Sequence, residues 1–160
     1  MSRAFIKEDA GDPDELPERH QSASPNYVTP EGLAALRQKA LELRAQLESL
    51  PKDGMEARQT RRDLHYYDGR TASAILVDPR AGPEDEVRFG AFVDLRGGDG
   101  KTRRVVVVGQ DEAEGAAGKI SWDSTLAMAL MGMRVGEWVD VEGPGVLTIA
   151  GISYPGRQRK

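Results

Sequence analysis

The feature that most constrains this chain is a seam. Between Thr29 and Pro51, apolar residues recur at Leu33, Leu36, Ala40, Leu43, Leu47 and Leu50, at alternating intervals of three and four. Such a stripe runs down one side of an α-helix and is satisfied only by packing on another helix. Thr29-Pro30-Glu31 supplies a hydroxyl cap, a proline for the first helical position and an acid for the first turn. Pro51-Lys52-Asp53-Gly54 stops the helix. From about Met55 to Leu76 the same spacing returns with poorer residues, Ala57, Thr60, Leu64, Tyr67, Thr71 and Ala74. Two seams joined by a tight polar turn predict an antiparallel helical hairpin, a short coiled coil over residues 29–78.

After a linker at 79–86, with two prolines, Gly82 and three acids, the period changes to that of strands. Phe89, Ala91, Val93 and Leu95 alternate with smaller or polar residues, and Gly97-Gly98-Asp99-Gly100 forms a hairpin turn into the strand Arg103–Val108. Ile120-Ser121-Trp122 reads as a further strand and Thr125–Met133 as a short helix with Leu126, Ala129, Leu130 and Met133 on one face. Strands at Trp138–Val141 and from Val146 to near Tyr154 complete a small domain over 87–155, followed by a frayed basic end at 156–160. The predicted class is α+β.

Residues 1–28 carry Gly11, Pro13, Pro17 and Pro25 among many charges, with little but Phe5 and Ile6 to bury, and read as a mobile tail. Phe5-Ile6 is either a contact point for a partner or simply part of that tail. The 160-residue chain has 26 acids against 22 bases, and this mildly acidic mixture lacks the dense basic face that independent DNA binding requires. Cysteine is absent, which excludes disulfides and thiolate chemistry. No stretch is apolar enough for a membrane span and the first residues lack a secretory core, so a cytoplasmic location is expected. Nothing in the pattern demands more than a monomer.

Little here suggests an enzyme. The Gly97–Gly100 run lacks a following Lys-Ser/Thr and sits between strands, so it reads as a turn and not a phosphate loop. His20 and His65 have no metal-ligand spacing, and no intrinsic metal site or catalytic triad is expected. Asp53 and Glu56 lie three apart at the hairpin tip. Two exposed acids there could hold a divalent cation together with another protein. The alternative makes Asp53 a helix cap and Glu56 its capping-box partner.

The run Phe89-Gly90-Ala91-Phe92-Val93, then Val107-Val108-Gly109-Gln110-Asp111-Glu112-Ala113, Ile120-Ser121-Trp122-Asp123-Ser124 and Gly132-Met133-Arg134-Val135-Gly136-Glu137, resembles the C-terminal domain of the GreA/GreB transcript-cleavage factors. The match covers roughly residues 87–154, and the start Thr29–Leu33 with its leucine seam resembles the family's coiled coil more loosely. The resemblance implies an FKBP-like antiparallel sheet with one short helix, without implied isomerase activity. It also implies a partner, bacterial RNA polymerase, gripped at the β′-subunit coiled coil on the rim of the secondary channel. The family's docking loop is Asp-Ser-Pro or a close variant; here it is Asp123-Ser124-Thr125, with threonine in place of proline. The family's coil tip reads Asp-x-x-Glu-Asn and helps the polymerase hold a second Mg²⁺ for hydrolysis of backtracked RNA. Asp53-Gly54-Met55-Glu56 keeps that spacing, but Ala57 replaces the asparagine. The arm is also shorter than the family's by on the order of 10 Å. The expectation is an elongation regulator that binds polymerase with weak or no stimulation of cleavage. A cleavage-stimulating role for Asp53 and Glu56, with Mg²⁺ shared with polymerase, is one alternative. A module of the same fold with a different protein partner is the other.

Overall fold

The computed structural model describes residues 16–156. Strand β1 (Tyr27–Val28) leads into helix α1 (Pro30–Ser49), which turns through Pro51–Gly54 into α2 (Met55–Ala72). Thr29 caps α1, its hydroxyl accepting from the Gly32 amide at 2.9 Å. The seam buries Leu36, Ala40 and Leu43 of α1 against Ala57 and Thr60 of α2. Its small residues let the helices approach closely but remove little apolar area from water, so the contribution per turn is modest. Thr60 and Thr71 turn their hydroxyls onto the carbonyls of Glu56 and Tyr67, both at 2.8 Å, which hides their polarity inside the seam.

The hairpin departs from the sequence expectation at its base. Helix α2 ends at Ala72 and not near Leu76, because Ile75–Leu76 forms strand β2, paired in parallel with Tyr27–Val28. The Ile75 amide donates to Asn26 O at 2.8 Å and the Val77 amide to Val28 O at 3.0 Å. Tyr27 and Val28 are therefore structural, although composition placed them at the end of a tail. The preceding residues also pack. Arg19 lies 4.0 Å over the Tyr66 ring and pairs with Asp63 at 3.3 Å, and Asn26 donates its side-chain amide to Arg70 O at 2.7 Å. These polar contacts form a strap along α2 that apolar content alone does not reveal. Phe5-Ile6 and residues 157–160 lie outside the described residues.

The second layer is a five-stranded sheet in the order β5-β4-β3-β7-β6, built from β3 (Phe92–Gly97), β4 (Thr102–Val108), β5 (Lys119–Ser121), β6 (Trp138–Val141) and β7 (Gly145–Ser153). The expected antiparallel pairing holds at β4–β3, β3–β7 and β7–β6, while β5 at the edge pairs with β4 in parallel, Val107 opposite Ile120. The chain turns back through 109–118 in two 3-10 turns, Gln110–Glu112 and Gly115–Ala117, so β5 starts again from the same end as β4. Gly118 closes this return at φ +72°, and a Cβ there would stand 2.7 Å from Arg104 O. Phe89, Ala91, Val93 and Leu95 do point inward, but the strand begins only at Phe92, after a turn at Gly90.

Helix α3 (Thr125–Leu130) covers the inner face with Ala127 and Leu130, both fully buried. It ends before the expected Met133 because Gly132 takes φ +80° and the chain then pairs with residue 87, the Val87 amide donating to Met133 O at 2.8 Å. Ala129, expected on the buried face, is exposed. The 79–86 segment holds turns and ends on a bridge between Glu86 and Arg134. The architecture is α+β, a helical hairpin joined to a mixed sheet. No described helix is long and apolar enough to cross a membrane.

Candidate functional site

The loop before α3 is built from its own polar contacts. Ser124 is the N-cap of α3, its hydroxyl accepting from the Ala127 amide at 3.3 Å, and its own amide donates to Ser121 O at 2.9 Å. Half-buried Asp123 accepts from the Ser121 hydroxyl on one oxygen and from Gln110 Nε2 at 2.6 Å on the other. The Ser121 hydrogen bond, with help from Gln110 and the Arg70 charge, holds this carboxyl below the usual aspartate range despite partial burial. Asp123 is thus ionised and fixed in direction, and each oxygen retains a lone pair for an incoming donor. Thr125 is exposed at the first helical position. Beyond it Met128 of α3, 64 % exposed, and Met131 just past its end, 40 % exposed, face outward. These two side chains went unnoticed in the sequence reading; their i, i+3 spacing opposite Ala127 and Leu130 was the available signal.

The loop is tied to the hairpin through a polar junction. Arg70 of α2, only 2 % exposed, pairs through Nε with Asp111 Oδ2 at 2.6 Å, and its Nη2 donates to Gln110 Oε1 at 3.1 Å. Tyr66 donates its hydroxyl to the other Asp111 oxygen at 2.5 Å. Burial and that bond to Asp111 push the Tyr66 hydroxyl up to about 12. Next along the chain, Glu112 accepts from the amides of Thr29 and Gly109, both at 3.1 Å, and from the Thr29 hydroxyl. A carboxylate from the sheet layer thus sits at the positive end of α1.

The hairpin tip is different. Asp53 and Glu56 are exposed, and the cap of α2 is Gly54 with no side-chain hydrogen bond, so the alternative of an Asp53–Glu56 capping box does not form. Glu56 accepts instead from Gln46 Nε2 at 3.4 Å. Among the described residues no group of three or more His, Asp or Glu could hold a metal ion. His65 faces Glu18 at 3.4 Å on the surface.

Residues 82–154 match the family described as transcription elongation factor, GreA/GreB, C-term. Over 153 aligned residues the chain is 31% identical to transcription elongation factor GreB of Neisseria meningitidis serogroup A, covering 81% of this chain and 94% of that one. The chain belongs to the GreA/GreB family. Transcription elongation factor GreA of Zymomonas mobilis is 38% identical over 77 residues, 48% of this chain and 49% of that one. Among solved structures, a GreA/GreB factor from Nitrosomonas europaea aligns at 22% identity and a TM-score of 0.41, covering 82% of this chain and 99% of that one. GreA factor homolog 1 of Thermus thermophilus aligns at 21% identity and 0.39, covering 81% and 99%. The GreA/GreB C-terminal match contains the whole loop from Ser121 to Thr125 and the junction residues Gln110, Asp111 and Glu112.

Proposed function

We propose that this chain is a transcription elongation regulator that binds bacterial RNA polymerase through the loop Asp123-Ser124-Thr125, at the β′ coiled coil of the secondary-channel rim, with weak or no stimulation of transcript cleavage. The observation that carries the reading is a preformed acidic loop on a capped helix. Asp123 is ionised and aimed before any partner arrives, which lowers the ordering cost of recognising a partner's arginines. Exposed Met128 and Met131 beside it offer an adaptable apolar margin.

The weak-cleavage part rests on the arm. Helix α1 holds 20 residues, about 30 Å at ~1.5 Å per residue. Exposure of Asp53 and Glu56 at the tip favours the second reading, in which they present Mg²⁺ to the polymerase's own RNA-hydrolysing site. On either reading the chain is not itself an enzyme.

Retention on immobilised RNA polymerase tests the docking loop: Asp123→Arg is expected to abolish it while leaving thermal unfolding cooperative. Unchanged retention would direct attention to a different protein partner. Stalled elongation complexes separate the two readings. Robust RNA shortening that disappears with Asp53→Ala would favour the cleavage role.

A further inference from the structure

We infer that Gln110 is a positioning residue for the docking loop, setting the direction of Asp123 in register with the helical hairpin through Arg70. The inference rests on the docking reading above and adds how that loop is controlled. Gln110 is bonded at both ends of its amide. Its Oε1 accepts from Arg70 Nη2 at 3.1 Å, while Nε2 donates to Asp123 Oδ2 at 2.6 Å and to Ser22 Oγ at 3.0 Å.

The chemistry of the neighbours fixes which way the amide points. A guanidinium only donates, and an ionised carboxylate only accepts. With Arg70 on one side and Asp123 on the other, the flipped amide would set NH₂ against Arg70 and a carbonyl against Asp123, losing both bonds. Arg70 itself has no freedom to drift. It is buried, its Nε is held by Asp111, and its backbone carbonyl accepts from Asn26. The connection therefore runs from α2 through Arg70 and Gln110 to the loop, with the strap joined at Ser22. A shift of the hairpin on the sheet would release the Asp123 oxygen that Gln110 holds. The other charged or titratable groups described at this junction are Tyr66 of α2, with Arg19 over its ring, and Asp111 and Glu112 of the 3-10 turn.

The test is Gln110→Glu, which keeps the shape and sets a carboxylate against Asp123. The Asp123 titration, followed by carboxyl NMR on the free full chain, is expected to move upward. Retention on RNA polymerase at neutral pH is expected to weaken about tenfold, the scale of one lost charge-assisted hydrogen bond. A role confined to packing would, in Gln110→Ala, lower thermal stability without moving that titration. Should Gln110→Glu fold poorly, Gln110→Ala is expected to shift the midpoint in the same direction, and Arg70→Lys to do so more weakly. An Asp123 midpoint unchanged in the variants that fold would overturn the inference, whatever the polymerase does. A raised midpoint with undiminished retention would support Gln110's hold on Asp123 and remove the docking loop instead.

Discussion

Gly32 leaves the space that the Glu112 carboxylate occupies: a Cβ on Gly32 would stand 2.1 Å from Glu112 Cδ. Glycine inside a helix ordinarily costs about 1 kcal/mol relative to alanine. Here it lets an acid from the sheet layer reach the first turn of α1, beside the Thr29 amide and hydroxyl. Gly32→Ala is therefore expected to destabilise the protein by about 1–2 kcal/mol, against the usual helical trend. Urea unfolding measures it, and a stabilised variant would show that Glu112 can move aside freely. Paired with Glu112→Ala in a double-mutant cycle, the two effects are expected to be non-additive.

Arg70 and Asp111 form the most buried ion pair described, with side-chain exposures of 3% and 14%. Removing the cation leaves a carboxylate with little water to replace it. Arg70→Met is expected to cost about 3 kcal/mol or more, and Arg70→Lys less, since a point charge still faces Asp111 but the fork to Gln110 is gone. Thermal unfolding of the two variants side by side would check the order; equal losses would argue that the fork is immaterial.

Tyr66 gives a signature at high pH. Its hydroxyl is pushed up to about 12 by burial and by donation to Asp111, so its folded-state pKa lies above the unfolded value. The stability it contributes is complete below the unfolded tyrosine pKa of about 10 and is lost as pH rises through about 12. Tyr66→Phe is expected to cost about 1 kcal/mol at neutral pH and to lose less than the parent above pH ~10. Absorbance titration should lose one late-ionising phenol in that variant. A variant whose late component persists in full would contradict the assignment.

Thr125 opens α3, where proline is favoured because its ring presets φ and no intrahelical amide bond is given up. Thr125→Pro is expected to be neutral or stabilising by up to about 1 kcal/mol, and to tighten retention on polymerase by stiffening the loop. Ser124→Ala, by contrast, removes the cap of a six-residue helix and is expected to cost about 1 kcal/mol. Calorimetry on the two variants would check both signs.

What could be read from the sequence divides along a physical line. The α1 seam, the Pro51–Gly54 stop and the inward set Phe89, Ala91, Val93 and Leu95 were legible because burial imposes a period. The end of α2 was not, since Ile75 and Leu76 continue a helical pattern and only pairing with Tyr27 and Val28 makes them a strand. The parallel seating of β5 depends on the path of 109–118, which no local spacing encodes. For the candidate site, Asp123 and Ser124 came from resemblance, and the structure adds that Ser124 caps α3. The junction behind them was missed because Gln110, Asp111 and Glu112 look like an ordinary polar turn. Arg70 offered a clue: it follows Tyr67 by three on the inner stripe of α2, where a guanidinium demands an acceptor from elsewhere.

Between them, those three consecutive turn residues reach three separate elements. Gln110 meets the loop before α3, Asp111 meets α2, and Glu112 meets the start of α1. Their rotation along the chain matches three fixed targets at once, so the stretch has no slack in length. Adding or deleting a single residue between Gly109 and Ala113 would put all three out of phase together. The Gly97–Gly100 turn, with open space around Gly98 and Gly100, has no such phase to keep. An insertion scan should find the second turn permissive and the first intolerant. In this chain the spacing of one short turn, more than the identity of any one of its residues, keeps the arm and the loop before α3 parts of a single object.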